Sequence, residues 1–98
     1  VYKIMLWVSD NSKDYVVTKP LHESQRSVSE AKAQELYSLF PTLSGGQFFI
    51  IECKENYELI RELTSFGKDL VVLSPKPITD LVERRVLEMF EIYSKLRT

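Results

Sequence analysis

"QFFIIEC", residues 47–53, is the stretch on which the fold turns. It follows the turn signal Ser44-Gly45-Gly46, and its aromatic and β-branched content makes it the strongest strand signal in the chain. Side chains alternate along a strand, so Phe49, Ile51 and Cys53 share one face, and Phe48, Ile50 and Glu52 share the other. A strand wetted on one side pairs apolar with polar residues; this one is apolar on both.

Working outward, the same excess recurs. "YKIMLWV", from Tyr2 to Val8, places Tyr2, Ile4, Leu6 and Val8 against Lys3, Met5 and Trp7. "DLVVLSP" reads as a further buried strand, ended by Pro75, and residues 24–28 as a short polar strand near a sheet edge. Asp10 to Thr18 carries caps for a short helix at Ser9 or Asp10, although Val16-Val17-Thr18 also suits an extended segment, and Pro20 ends it either way. Ser29 to Phe40 reads as a helix with the stripe Ala33, Leu36, Tyr37 and Phe40, capped through Ser27 and Glu30 or by Ser29, and stopped by Pro41. Asn56 caps the next helix, whose face holds Leu59, Ile60, Leu63 and Phe66 before the stop at Gly67. The last helix runs from Pro77 to about Leu96, with Ile78, Val82, Val86, Met89, Tyr93 and Leu96 in one stripe.

Setting aside the helix at 29–40 and the last helix leaves a split βαβ repeat. The expected class is α+β: a ferredoxin-like βαββαβ fold, with a four-stranded antiparallel sheet, an inserted helix and an additional C-terminal helix. Two helices cover one face of such a sheet, so the other face needs its own cover. Either a surplus helix packs there, or the face docks on a second copy or a neighbouring domain. Met5, Trp7 and Phe48 are the candidates for that contact. Leu87 and Phe90 join them, because they lie off the main stripe of the last helix and form a second apolar ridge.

The 98 residues make one small domain, 44% apolar and 28% charged. Thirteen basic and fourteen acidic residues, a net charge of −1, give no electrostatic case for binding nucleic acid directly. The single cysteine, Cys53, suits a reducing, cytoplasmic setting, and no apolar run suggests a membrane segment. Starting inside a strand without a methionine suggests a domain excised from a longer protein.

Catalytic patterns fail in turn. His22 is the lone histidine, which argues against a clustered metal site, and Cys53 sits within an apolar strand as an inert thiol. "SGGQ" lacks the Lys-Ser/Thr ending of a phosphate loop. "VSDNSKD" lacks the arginine that an acylphosphatase loop requires, and "GGQFFIIE" lacks the basic lead of an RNA-recognition motif. The expectation is a non-enzyme with no cofactor and no metal.

"HESQ", residues 22–25, remains. Four polar side chains in a row, followed by Arg26, serve either as a solvated strand entry that ties down local backbone or as a ligand or domain contact. In the second case His22, Ser24, Gln25 and Arg26 would present donors to an anionic or nucleotide-like group.

Leu21-His22-x-Ser24-Gln25, then Glu58-Leu59 ahead of Ser65-Phe66-Gly67, then Val71-x-Leu73-x-Pro75-Lys76 and a long final helix recur in one order. Together they resemble the C-terminal extension domain, WCX, of bacterial WYL-domain transcriptional regulators. The resemblance implies that residues 1–98 form a WCX-like domain behind an upstream winged helix-turn-helix and a WYL domain. It implies partners as well: a second copy in a homodimer, the protein's own WYL domain, and a nucleotide-like or nucleic-acid effector. DNA would be reached only through the missing N-terminal domain, and this domain would assist dimerisation and signal transfer. The segment from Ser27 to Gly46 departs from the family pattern, being longer and more helical. The alternative is a stand-alone ferredoxin-like module that binds a small molecule and regulates a metabolic enzyme.

Overall fold

Three apolar segments pair where the sequence places them. In the computed structural model, which describes residues 1–97, β1 (Tyr2–Val8) lies antiparallel to β3 (Gln47–Cys53), with Ile4 opposite Ile51, Leu6 opposite Phe49 and Trp7 opposite Phe48. The other side of β1 pairs antiparallel with β4 (Leu70–Ser74), with an irregularity between Met5 and Leu6. A two-residue β2 (Arg26–Ser27) adds to β3, giving one four-stranded antiparallel sheet in the order β2-β3-β1-β4. The fold is α+β, with helices α1 (Lys13–Thr18), α2 (Glu30–Leu39), α3 (Tyr57–Ser65) and α4 (Lys76–Leu96).

Local chemistry sets the helix ends. Ser29, not Ser27, caps α2: its side chain accepts from the Lys32 N–H at 3.1 Å. Asn56 caps α3 by accepting from the Leu59 N–H at 2.8 Å. Gly67 follows α3 at φ +59°, a conformation that a Cβ disfavours. Pro75 precedes α4, and Pro77 falls in its first turn, where the absent N–H has no intrahelical acceptor to miss.

The sheet carries a core on each face. Ile4, Leu6, Val8, Phe49 and Ile51 form the first with Val16 of α1, Ile60 and Leu63 of α3, and Ile78 of α4. Trp7, Phe48 and Leu36 form the second, and α2 supplies the cover through Ala33, Leu36 and Tyr37. The Tyr37 ring meets Phe48 edge-on at 4.8 Å between centroids. The expectation that Trp7 and Phe48 face a partner is therefore corrected: both are buried beneath α2 of their own chain, and Met5 is half-buried beside them. A volume the size of the indole and a phenyl ring requires a lid, and α2 provides it.

Gly46 closes this second core. Its φ of +69° and its place against Trp7 and the Val8 carbonyl leave no room for a side chain. The Trp7 Nε1–H donates to the Gly45 carbonyl at 3.0 Å, the Tyr37 hydroxyl donates to the same oxygen, and Asp10 Oδ1 accepts from the Gly46 N–H at 3.0 Å.

α4 outruns the body. At 21 residues it spans about 31 Å, in a molecule whose principal extents are 47, 29 and 25 Å.

Candidate functional site

The polar stretch at 22–25 folds into a turn that is wired to the chain. The Ser24 N–H donates to His22 Nδ1 at 3.1 Å, so that nitrogen is an acceptor. The Ser24 hydroxyl accepts from the Glu52 N–H at 2.7 Å and has its own proton to share between the Glu52 carbonyl at 3.2 Å and His22 Nδ1 at 2.7 Å. A side chain thus continues the β2–β3 ladder where backbone pairing stops. β2 itself is two residues long, against the five expected from the sequence.

Gln25 acts as a bolt. Its Oε1 accepts from the Leu21 N–H at 2.8 Å, and its Nε2 donates to the Val16 carbonyl at 3.1 Å, fixing the end of α1 to the strand entry. Arg26 reaches across to Glu52 at 2.9 Å, and this guanidinium holds the Glu52 carboxyl below the usual carboxylate range. Of the four candidates, Ser24 and Gln25 have their polar atoms committed to the backbone, Arg26 is ion-paired, and His22 keeps Nδ1 inward.

Arg26 also borders a shallow cleft with Lys3 and Lys32, floored by Met5 and Ile50. Its positive charge is offset by Glu52 on Arg26 and by Glu35, 3.4 Å from Lys32. A second depression is lined by His22, Cys53, Asn56 and Glu58; partial burial pushes the Cys53 thiol above its ordinary pKa, away from the reactive thiolate. Among the described residues, no group of three or more His, Cys, Asp or Glu side chains is placed to hold a metal, and no helix is long and apolar enough to cross a membrane.

A groove of about 520 Å³ is mostly apolar. Leu63, Val71, Val72, Val82, Val86 and Met89 line it between β4 and α4. It opens onto the distal half of α4, where Val86, Leu87, Met89, Phe90, Ile92, Tyr93 and Leu96 are all about half exposed or more. Leu87 and Phe90 of the expected contact set are on the surface here; Trp7 and Phe48 are not. These seven large apolar side chains form one exposed cluster along the helix.

The chain also matches the family model described as the WCX domain over residues 1–90. It belongs to the WCX domain family. No curated protein and no solved structure matches the chain.

The quoted sequence signature maps onto joints of the WCX domain. Ser24 and Gln25 brace β2 against β3 and α1, Gly67 ends α3, and Pro75 with Lys76 turns β4 into α4. Lys76 extends to Asp80 at 2.8 Å along the first turn of that helix. Sequence reading missed the clamp of Trp7, Tyr37 and Asp10 on Gly45-Gly46. Its signal was the Gly-Gly pair before the central strand, which demands close backbone approach as well as a turn. It also missed Arg85, whose guanidinium lies 5.4 Å from the Tyr57 ring centroid and lowers that phenol's pKa.

Proposed function

We propose that this WCX domain is a non-enzymatic regulatory and assembly domain of a WYL-type bacterial transcriptional regulator, contributing to dimerisation and to effector signal transfer. The observation that carries the reading is the exposed apolar half of α4, joined to family membership. A helix that buries Ile78 in its own core and then presents seven large apolar side chains to solvent is built to be covered. The strand order β2-β3-β1-β4 supports a ferredoxin-like description, with α2 as an added lid on the sheet.

Signal transfer has a physical route in this reading. The groove beside α4 joins the interaction surface to the end of α3 and to β4, so a change in what covers α4 bears on the core directly. The same groove, apolar and open, also favours the alternative of a small-molecule-binding module attached to a metabolic enzyme.

Sequencing upstream in the protein's gene separates the two. A winged helix-turn-helix followed by a WYL domain supports the regulator; a metabolic enzyme supports the alternative. In the full-length regulator, deletion of the WCX domain should abolish dimeric operator binding in a gel-shift assay. Retention of dimeric, effector-responsive binding after the deletion contradicts the role.

A further inference from the structure

The spacing along α4 changes meaning halfway. Ile78, Leu81 and Val82 pack on the core, and the same stripe continues past the end of the body. From Val82 the intervals run four, three, four, three, through Val86, Met89 and Tyr93 to Leu96. That is a heptad seam of period 3.5, the pattern by which one helix packs along another. Exposure climbs along it, from 49% at Met89 to 72% at Leu96, so the described chain leaves the outer part of the seam largely uncovered.

We infer that the distal half of α4 pairs antiparallel with the same helix of a second copy, with Val86 facing Leu96, Met89 facing Tyr93 and Glu83 facing Arg97 across the two-fold axis. The inference rests on the assembly role proposed above and specifies the surface and register.

Three observations select this occupant. The first is charge. With the seam placed at Val82, Val86, Met89, Tyr93 and Leu96, the positions flanking it on one side are Glu83, Phe90 and Arg97. In antiparallel register Glu83 meets the partner's Arg97 at both ends, and Phe90 meets its own symmetry mate at the centre. A parallel pair instead sets Arg85 against Phe90 and Ile92 against Arg97, leaving each charge beside an apolar side chain. Arg85 is also already engaged with Tyr57 of its own chain.

The second is area. Covering the exposed parts of Val86, Met89, Phe90, Ile92, Tyr93 and Leu96 in both copies removes roughly 1,300 Å², within the range of specific, stable interfaces. The third is clearance. The antiparallel register sets the two bodies at opposite ends of the helix pair and brings the partner's C-terminal turn to the mouth of the groove beside Val86. Residues 91–97, which hold Tyr93, Leu96 and Arg97, lie beyond the part matched by the family model.

Sedimentation velocity on the 98-residue chain tests it. The wild type should dimerise at micromolar concentration. Met89→Glu should be monomeric with an unchanged circular dichroism spectrum, because Met89 lies outside the buried core. Glu83→Arg and Arg97→Glu should each weaken the dimer about tenfold, and the two together should restore it to within about threefold. A dimer indifferent to Met89→Glu overturns the helix pairing while leaving an assembly role by another face. Failure of the double reversal to restore the dimer overturns the antiparallel register. A wild-type chain that stays monomeric at about 100 μM overturns the pairing and the assembly role of this fragment together.

Discussion

The Ser24 hydroxyl takes the Glu52 N–H at 2.7 Å and so occupies the place of a backbone carbonyl at the end of the β2–β3 ladder. Glu23 before it is exposed, and Gln25 after it bolts the strand entry to α1. Removing an acceptor from a paired amide costs about 1 kcal/mol or more when water cannot replace it well. Urea unfolding should therefore show Ser24→Ala and Gln25→Ala each destabilised by about 1–2 kcal/mol. Glu23→Ala should stay within about 0.5 kcal/mol of the wild type. Equal, negligible effects at all three positions would return Ser24 and Gln25 to the role of free surface donors.

Gly46 and Gly67 both adopt positive φ, yet they should respond differently to alanine. A Cβ at Gly46 collides with the Val8 carbonyl and crowds the Trp7 indole, whereas one at Gly67 meets nothing within 4 Å. Gly67→Ala should cost about 1 kcal/mol, the backbone penalty alone. Gly46→Ala adds a steric clash in a closed core and should cost at least about 3 kcal/mol, with a shift in Trp7 fluorescence as the clamp opens.

The lid reading of α2 predicts a contrast along one helix. Leu36 is buried against Trp7 and Phe48, while Leu39, three residues on, is exposed. Leu36→Ala should lower stability by about 2–4 kcal/mol in chemical denaturation, and Leu39→Ala by less than about 0.5 kcal/mol. Similar small losses at both sites contradict the second core.

How much of this was legible in the sequence follows from where the information sits. Phe48, Trp7 and Val71 announce a sheet that is apolar on both faces, because strand periodicity is local and each residue reports its own face. What covers the second face is not local. The stripe Ala33, Leu36, Tyr37 and Phe40 fits a helix packed on this sheet as well as one packed elsewhere, and only tertiary contact decides. Hence the sequence left open whether a surplus helix or a partner covers Trp7 and Phe48, and α2 does so, while Leu87 and Phe90 are exposed. At "HESQ" the polarity was plain, but its use was not: a serine that donates outward and a serine that completes a ladder share one letter.

Three surface carboxylates are held below their ordinary pKa by their partners. Ser9 Oγ donates to Asp69 at 2.7 Å and holds its pKa below the ordinary 3.8, with Asn11 and Lys68 adding to this. Lys13 and the Gly46 N–H lower Asp10, and Arg26 lowers Glu52. A carboxylate whose folded-state pKa lies below its unfolded value contributes in full above the unfolded value, and that contribution is lost as pH falls through the folded one. Stability should thus be level from neutral to about pH 5 and decline below it. Asp69→Asn should flatten that decline without moving its neutral end upward; an unchanged acid limb contradicts the assignment.

The central claim is that the outer turns of α4 acquire their cover from another molecule of the same chain. Amide hydrogen exchange, followed across residues 86–97 at increasing protein concentration, addresses it most directly. Slowing of these amides as concentration rises is the predicted result. Fast exchange through that segment at every concentration contradicts it.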